Sequence, residues 1–348
     1  MKYDLVTFGE CMVRLTAPGN MRLEQTTSLN LSVGGAEWTV ACNVSRLGCK
    51  TAWLSRLVDN WAGRQIINQA CMHGVDTSLV VMEEFDGVGL LRNGFYHVEV
   101  GVGPRSSSVT YDRGHTAIAT MTYDMVDWNS VLSGTRWLHI SGITPALSEE
   151  LGDICIKLFK QAAELGVTAS YDLNFRSKLW TSHQAQAINK KIVPYVKVLI
   201  GNEEDFEKCL GYKIPAGDSD YSKLDPTGYM QMVEKVRKDY PNIEIVGTTL
   251  REAKTGRLNN WCVLVQDGRK SYLSRTYENL EIVDRVGGGD SFASAVIYGL
   301  LNDWPTERIC EFAGAYSALA HTFPGDVNWA AIDEVENVMQ GKSARISR

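Results

Sequence analysis

Asp284-Arg285-Val286-Gly287-Gly288-Gly289-Asp290-Ser291-Phe292 is the stretch that decides how this chain is read. Three successive glycines end in an aspartate, and a run of small and apolar residues, 292–298, follows. Glycines free the backbone to turn its N–H groups outward, and the run behind them predicts a helix whose positive N-terminal end faces the loop. Loop and helix end together make an anion cradle. An aspartate there is repelled by what the cradle attracts. A base that takes a proton beside a transferring phosphoryl group gives it a purpose. The competing reading is a glycine turn with Asp290 as a helix cap.

A chain of 348 residues buries a large core as one large domain or two. Hydrophobic residues at 44% and charged residues at 22% describe an ordinary globular chain. A net charge of -6 speaks against a nucleic-acid or membrane-surface partner. No apolar run reaches the ~20 residues that span a bilayer, and residues 1–8 run straight into a strand pattern without signal-peptide regions. The eight cysteines form no Cys-x-x-Cys pair and lie mostly among apolar neighbours, so they read as reduced core thiols of a cytoplasmic protein. The six histidines lack metal-ligand spacing.

Short apolar runs (5–9, 52–57, 137–141, 169–173, 196–200, 243–249) alternate with helical patterns (37–47, 62–73, 149–165, 182–193, 203–210, 230–239). Such alternation predicts an α/β fold with a mostly parallel central sheet flanked by helices. Near the C-terminal end, 261–266 and 271–275 read as a hairpin about Asp267-Gly268, followed by helical stretches at 291–303, 306–321 and 328–339. Segments 11–33 and 87–118 break the rhythm, being rich in Gly, Ser, Thr and β-formers, and read as elements that project from the sheet edge and close over a ligand. Residues 216–226 read as a surface insertion and 341–348 as a frayed polar tail, leaving 1–340 as one domain.

Five islands join the opening stretch into a constellation: Gly34-Gly35-Ala36-Glu37-Trp38-Thr39; Tyr96 with Tyr111-Asp112-Arg113; Asp172-Leu173-Asn174-Phe175-Arg176; Gly201-Asn202-Glu203-Glu204-Asp205; and the glycine loop itself. In order and spacing they resemble the ribokinase-type (PfkB) family of sugar kinases over nearly the whole chain. Gly34-Gly35-Ala36-Glu37, the Tyr111-x-Arg113 pair and Asp172-x-Asn174-x-Arg176 are similar to its ketodeoxygluconate branch. The resemblance implies a ribokinase-like fold with a small β-strand lid that often forms a dimer interface. It also implies ATP and Mg²⁺, with a monovalent cation such as K⁺ as a further family trait, and transfer of phosphate to a terminal sugar hydroxyl.

Carried onto this sequence, the resemblance makes Asp290 the base and the N–H groups of Gly287, Gly288 and Gly289 the stabilisers of transferring charge. Gly34, Gly35, Thr39, Tyr96, Tyr111, Arg113, Arg176 and Asp326 fall on substrate-side positions. Arg14 stands where neutral-sugar kinases of the family carry an aspartate. A cation there favours an acidic substrate such as 2-keto-3-deoxygluconate, whose carboxylate suits a guanidinium fork. Thr39 stands where the family usually has Asn. Asn174, Asn202, Asp205, Thr249, Arg251 and Ala315 fall on the nucleotide side, Asp205 reaching Mg²⁺ through water rather than directly. Asn202 serves equally as a helix cap, and Ala315 equally as helix packing. Gly288 replaces a common Ala, and Arg285 a common Thr; Arg285 either adds charge near the triphosphate or faces solvent. Rival readings are another sugar (5-keto-2-deoxygluconate, fructose or a nucleoside) and a non-catalytic sugar-acid sensor. A dinucleotide oxidoreductase needs Gly-x-Gly-x-x-Gly after the first strand, and Gly9-Glu10-Cys11 stands there instead.

Overall fold

The computed structural model describes residues 1–214 and 226–342. The expected insertion at 216–226 and tail at 341–348 lie almost wholly outside the described residues. Six strands run parallel in the order Thr51–Leu54, Tyr3–Phe8, Thr135–Ser141, Thr168–Asp172, Val198–Ile200 and Ile245–Ala253. Leu258–Gln266 continues the sheet antiparallel and itself pairs with Ser271–Leu273 and Tyr277–Glu281. The chain therefore has the α/β sheet that its alternating pattern predicts.

Strand alternation sorts neighbouring side chains into two cores. Leu138 and Ile140 join Leu151, Leu158 and Phe159 of the helix Glu149–Glu164 on one face. Trp137, one residue before Leu138 and so on the opposite face, joins Val40 and Val44 of Ala36–Arg46 and Phe292 of Gly288–Leu301. Helix ends follow local chemistry. Thr181 and Gln184 form a reciprocal cap that starts Ser182–Ile192, and Asn202 with Asp205 does the same for Glu203–Leu210, which stops at the left-handed Gly211.

A second sheet of four strands, in the order Asn30–Gly34, Met12–Thr16, Phe95–Glu99 and Ser108–Asp112, comes from the two segments that break the rhythm. It stands next to the carboxyl ends of the parallel strands, where ligand crevices of such sheets form.

Some elements depart from the sequence pattern. The run at 52–57 is split at Ser55, and Arg56–Asp59 leaves the main sheet to pair with Val81–Glu84. Arg56 is drawn aside by Glu83 at 2.9 Å and by the Thr120 carbonyl at 2.9 Å. The last helix starts at Ile332 rather than 328, because Asn328 is bound by Asn43 at 2.9 Å and donates to the Tyr316 carbonyl at 2.7 Å. Tyr277–Glu281 is too polar to show a strand period and is held only at the sheet edge.

Phe292 joins the glycine-led helix to the sheet. It is 1% exposed, and a Cβ on Gly247 would stand 2.9 Å from its ring. Phe292→Ala is expected to destabilise the fold by about 3–5 kcal/mol, measured as a lowered urea midpoint at unchanged slope.

Candidate active site

Residues at the carboxyl ends of three parallel strands and in the loops facing them enclose a hollow of about 420 Å³. Asp172, Asn174 and Arg176 follow one strand, Gly201, Asn202 and Asp205 the next, and Thr249 with Arg251 lies on a third. Gly287, Gly289 and Asp290 close it from the opposite side, with Tyr111 of the small sheet.

Each glycine of the loop meets a different demand. Gly287 has φ 86°, and a Cβ there would overlap the Asp326 main-chain carbonyl. Gly288 packs on an imidazole, its Cβ position lying 2.5 Å from Cε1 and 2.6 Å from Nε2 of His321. Gly289 faces open space, so its backbone is left bare toward the hollow. The first N–H groups of Gly288–Leu301 have no acceptor within the helix and are free for an anion. Asp290 sits in that first turn, partly exposed to the hollow. The protein packed around its carboxyl, then the charge of Asp326, pushes its pKa up to about 7, against the pull of Arg176.

Arg14 departs from expectation. It is 1% exposed and does not line this hollow. Its guanidinium bonds Asp284, Asp326 at 2.8 Å and the Thr16 hydroxyl at 3.0 Å, so it is committed to the protein rather than turned toward a substrate. Tyr96 donates to Asp326 at 2.7 Å, and Asp284 accepts from Val286 N at 3.1 Å and Gly325 N at 3.1 Å. The small sheet, the glycine loop and the 324–327 turn thus meet on one buried cation. Gly34 lets the Asp326 carboxylate and the Tyr96 hydroxyl lie against its Cα, and Gly35 does so for the Glu10 carbonyl.

Arg113 is held through Nε and Nη2 by Glu10, whose second oxygen accepts from Thr116 at 2.7 Å. Its guanidinium lies 5.3 Å over the Tyr111 ring, which stacks on Tyr96 at 6.0 Å. Thr39 is fully buried, with a hydroxyl that has no partner. On the other wall Asn202 and Asp205 act as a cap: Asp205 accepts from Asn202 N at 2.9 Å and Phe175 N at 2.8 Å. Asn174 takes a left-handed φ of 34° and donates its N–H to Asp172 at 3.2 Å. Ala315 is buried in the core against the sheet and lies off the hollow, which agrees with the second of its two readings, helix packing.

Three contributors went unread in the sequence. His321 lines the hollow, stacks edge-on to Trp261 at 4.6 Å and bonds the Ser317 carbonyl through Nδ1 at 2.8 Å. Burial pushes its pKa down to about 4, so it is neutral at pH 7. Asp172 ends its strand buried, and burial pushes its carboxyl well above the ordinary range, with Asp205 and Asp290 adding to the effect. Glu37 accepts from Ser141 N at 2.8 Å and the Thr144 hydroxyl at 2.6 Å, while Oε2 has no partner. Asp172 and Glu37 carried a signal, a carboxylate inside a motif. His321 had none.

The sequence model described as pfkB family carbohydrate kinase matches residues 2–330. The chain belongs to the PfkB family of carbohydrate kinases. Among its relatives, a 2-dehydro-3-deoxygalactonokinase of Haloferax volcanii is 34% identical over 100% of both chains. A 2-dehydro-3-deoxygluconokinase of Bacillus subtilis is 28% identical, covering 94% of this chain and 92% of its own. The crystal structure of a 2-dehydro-3-deoxygluconokinase from Thermotoga maritima superposes with a TM-score of 0.91 at 40% identity, covering 97% of this chain and all of that one.

PfkB kinases use ATP with Mg²⁺, and the hollow suits that pair. The bare Gly289 backbone and three arginines, Arg176, Arg251 and Arg285, face the hollow, and the carboxylates of Asp172 and Asp205 lie along the same wall, so groups suited to an anion and to a hydrated cation are both present. Among the described residues no helix is long and apolar enough to cross a membrane.

Two stability measurements test this geometry. Arg14→Met leaves two aspartates buried without their cation and is expected to cost about 3–5 kcal/mol in urea unfolding. Asp290 has a folded pKa near 7, above the ~3.9 of an unfolded aspartate. The folded state therefore holds the extra proton, and this group lowers stability as pH rises from about 4 to 7. Asp290→Asn is expected to be more stable than the parent at pH 8, with the difference closing toward pH 4.

Proposed function

We propose that the chain phosphorylates the C6 hydroxyl of 2-keto-3-deoxygluconate with ATP, giving 2-keto-3-deoxy-6-phosphogluconate and ADP. The observation that carries this reading is the position of Asp290. A carboxyl with pKa near 7 stands at the bare tip of a helix, in a chain 34% identical over its full length to a sugar-acid kinase. On one side Tyr111 lines the hollow, with Tyr96 and Arg113 against its ring. These three with Gly34 and Gly35 would form a wall for the sugar acid, the Arg113 Nη1 having no hydrogen bond among the described residues. On the other lie Asn174, Arg176, Asn202, Thr249 and Arg251 for the nucleotide.

Asp290 orients the C6 hydroxyl and takes its proton as that oxygen bonds the γ-phosphorus and the bond to the β–γ bridging oxygen breaks. The N–H groups of Gly287, Gly288 and Gly289 hold the charge on the transferring group. Asp205 and Asp172 are the residues that would hold a hydrated magnesium ion, which would supply charge neutralisation at the phosphates. Arg14 acts indirectly by holding Asp326, whose carboxylate lies against Gly34 and Tyr96. Thr39, with its partnerless hydroxyl, is the remaining hydrogen-bonding group beside the sugar wall.

The small sheet is the lid in this reading. Leu31, at 44% exposure on its outer edge, supports a homodimer through the lid. The reading includes a K⁺ requirement, in keeping with the family likeness, and a cytoplasmic location, in keeping with the unpaired cysteines. The Haloferax volcanii relative favours a second reading of the same site, the galactonate epimer.

A panel of both epimers, 5-keto-2-deoxygluconate, fructose and a nucleoside, followed by coupled ADP release, tests the substrate. The 2-keto-3-deoxy acids are expected to give the highest kcat/KM, and a preference for fructose overturns the reading. The base must be ionised, so log kcat/KM is expected to rise with unit slope up to about pH 7 and then level. Asp290→Asn is expected to cut kcat by about 10²–10⁴ and to remove that limb.

A further inference from the structure

Arg176, Arg251 and Arg285 line one hollow, and none of the ion pairs among the described residues includes any of them. Arg285 is not a waving surface charge. It is half-buried, and its Nε and Nη2 donate to the Gly256 carbonyl at 3.3 and 2.8 Å. Nη2 also reaches the Thr255 carbonyl at 3.1 Å and Asn259 Oδ1 at 3.3 Å. One edge of the guanidinium is therefore fixed, while Nη1 has no hydrogen bond among the described residues.

Its stem is fixed as well. The preceding residue, Asp284, is bound to Arg14, and the loop glycine Gly287 follows two positions later. Arg251 lies close enough for its positive charge to oppose that of Arg285. Two cations that face one hollow, one of them anchored and neither in an ion pair among the described residues, repel each other. A bound polyanion removes that repulsion, and paired guanidinium forks suit phosphate oxygens.

We propose that Arg285 is a phosphate-binding residue of the nucleotide cleft, forming with Arg251 a guanidinium pair that meets the polyphosphate of ATP. A single sugar carboxylate does not call for a second cation on this wall, and Arg113 stands on the opposite one. The inference rests on ATP use by the family and not on the identity of the sugar. Its test therefore contains no sugar.

Mg·ATP, Mg·ADP and adenosine are titrated calorimetrically into the full chain and into Arg285→Gln, whose amide keeps a donor for the carbonyls without the charge. The dissociation constants of Mg·ATP and Mg·ADP are expected to rise about ten- to hundred-fold. That of adenosine stays unchanged, and the salt dependence of Mg·ATP binding weakens. Equal Mg·ATP affinity in the two proteins overturns the proposal. So does an equal loss for adenosine, which marks Arg285 as a mere strut for the Thr255–Asn259 turn. If Arg285→Gln does not fold, Arg285→Lys decides, because it keeps the charge and loses the fork. Mg·ATP then weakens selectively relative to adenosine, whereas parallel weakening of both overturns the idea. Arg251→Gln, at an exposed position, supplies a further check: its effect and that of Arg285 are expected to be non-additive for Mg·ATP.

Discussion

Asp326 touches the glycine loop with its main chain and the small sheet with its side chain, and a buried arginine holds it to both tasks. Its carbonyl lies where a side chain on Gly287 would have to go, while its carboxylate takes Arg14 and Tyr96. Arg14 also carries Asp284, which turns the chain into the loop through Val286 N. The small-sheet strand Met12–Thr16, the loop before the glycine-led helix and the turn after the next helix are therefore fixed to each other by charge. Burying such a cluster is costly unless every partner is present. That cost makes the arrangement all-or-none, and an anion loop that must keep its amides aimed in one direction benefits from such a support.

Around this frame the site separates charges of opposite sign. Beside the small sheet the carboxylates are already committed to protein: Glu10 to Arg113 and Thr116, Asp326 to Arg14 and Tyr96. Across the hollow Arg176, Arg251 and Arg285 stand in no ion pair among the described residues. Asp290 lies between, where burial and the neighbouring Asp326 outweigh Arg176 and raise its proton affinity. A base in that position is strong enough to accept a proton late in transfer, and still ionised in half or more of the molecules at neutral pH. Asp205 shows how one residue serves two levels. As a cap it orders Asn202 and Phe175, and in doing so it sets the wall along which a hydrated cation would lie.

The sheet was legible because the parallel strands are short apolar runs and the helices carry a helical period, so each core face could be read by counting. The loop was legible because its glycines and aspartate are adjacent in sequence. What escaped depends on partners far apart in the chain. Arg14 lies 270 residues from Asp284 and 312 from Asp326, and nothing near position 14 reveals that its charge is taken. It read as a substrate contact because it stands where neutral-sugar kinases of the family carry an aspartate, and a cation at that place suits an acidic sugar. Ala315 was left between two readings because a small residue in a helix signals close approach, and the sequence does not say to what. The early stop of the sheet strand at Leu54 came from Arg56 finding Glu83 and Thr120, which no local pattern encodes.

His321 was the least legible of all, and it bears on how the site responds to pH. Glycine at 288 costs the helix start some propensity relative to alanine, but the missing Cβ makes room for the imidazole. The ring gives its Nδ1 hydrogen to the Ser317 carbonyl, so Nε2 faces Gly288 as a lone pair. A charged imidazole at that point would add a titrating cation to the anion loop. Burial keeps the ring neutral down to about pH 4, and the remaining positive groups are guanidiniums and backbone dipoles, which do not titrate in the working range. The positive potential of the glycine loop is thereby uncoupled from the titration of His321.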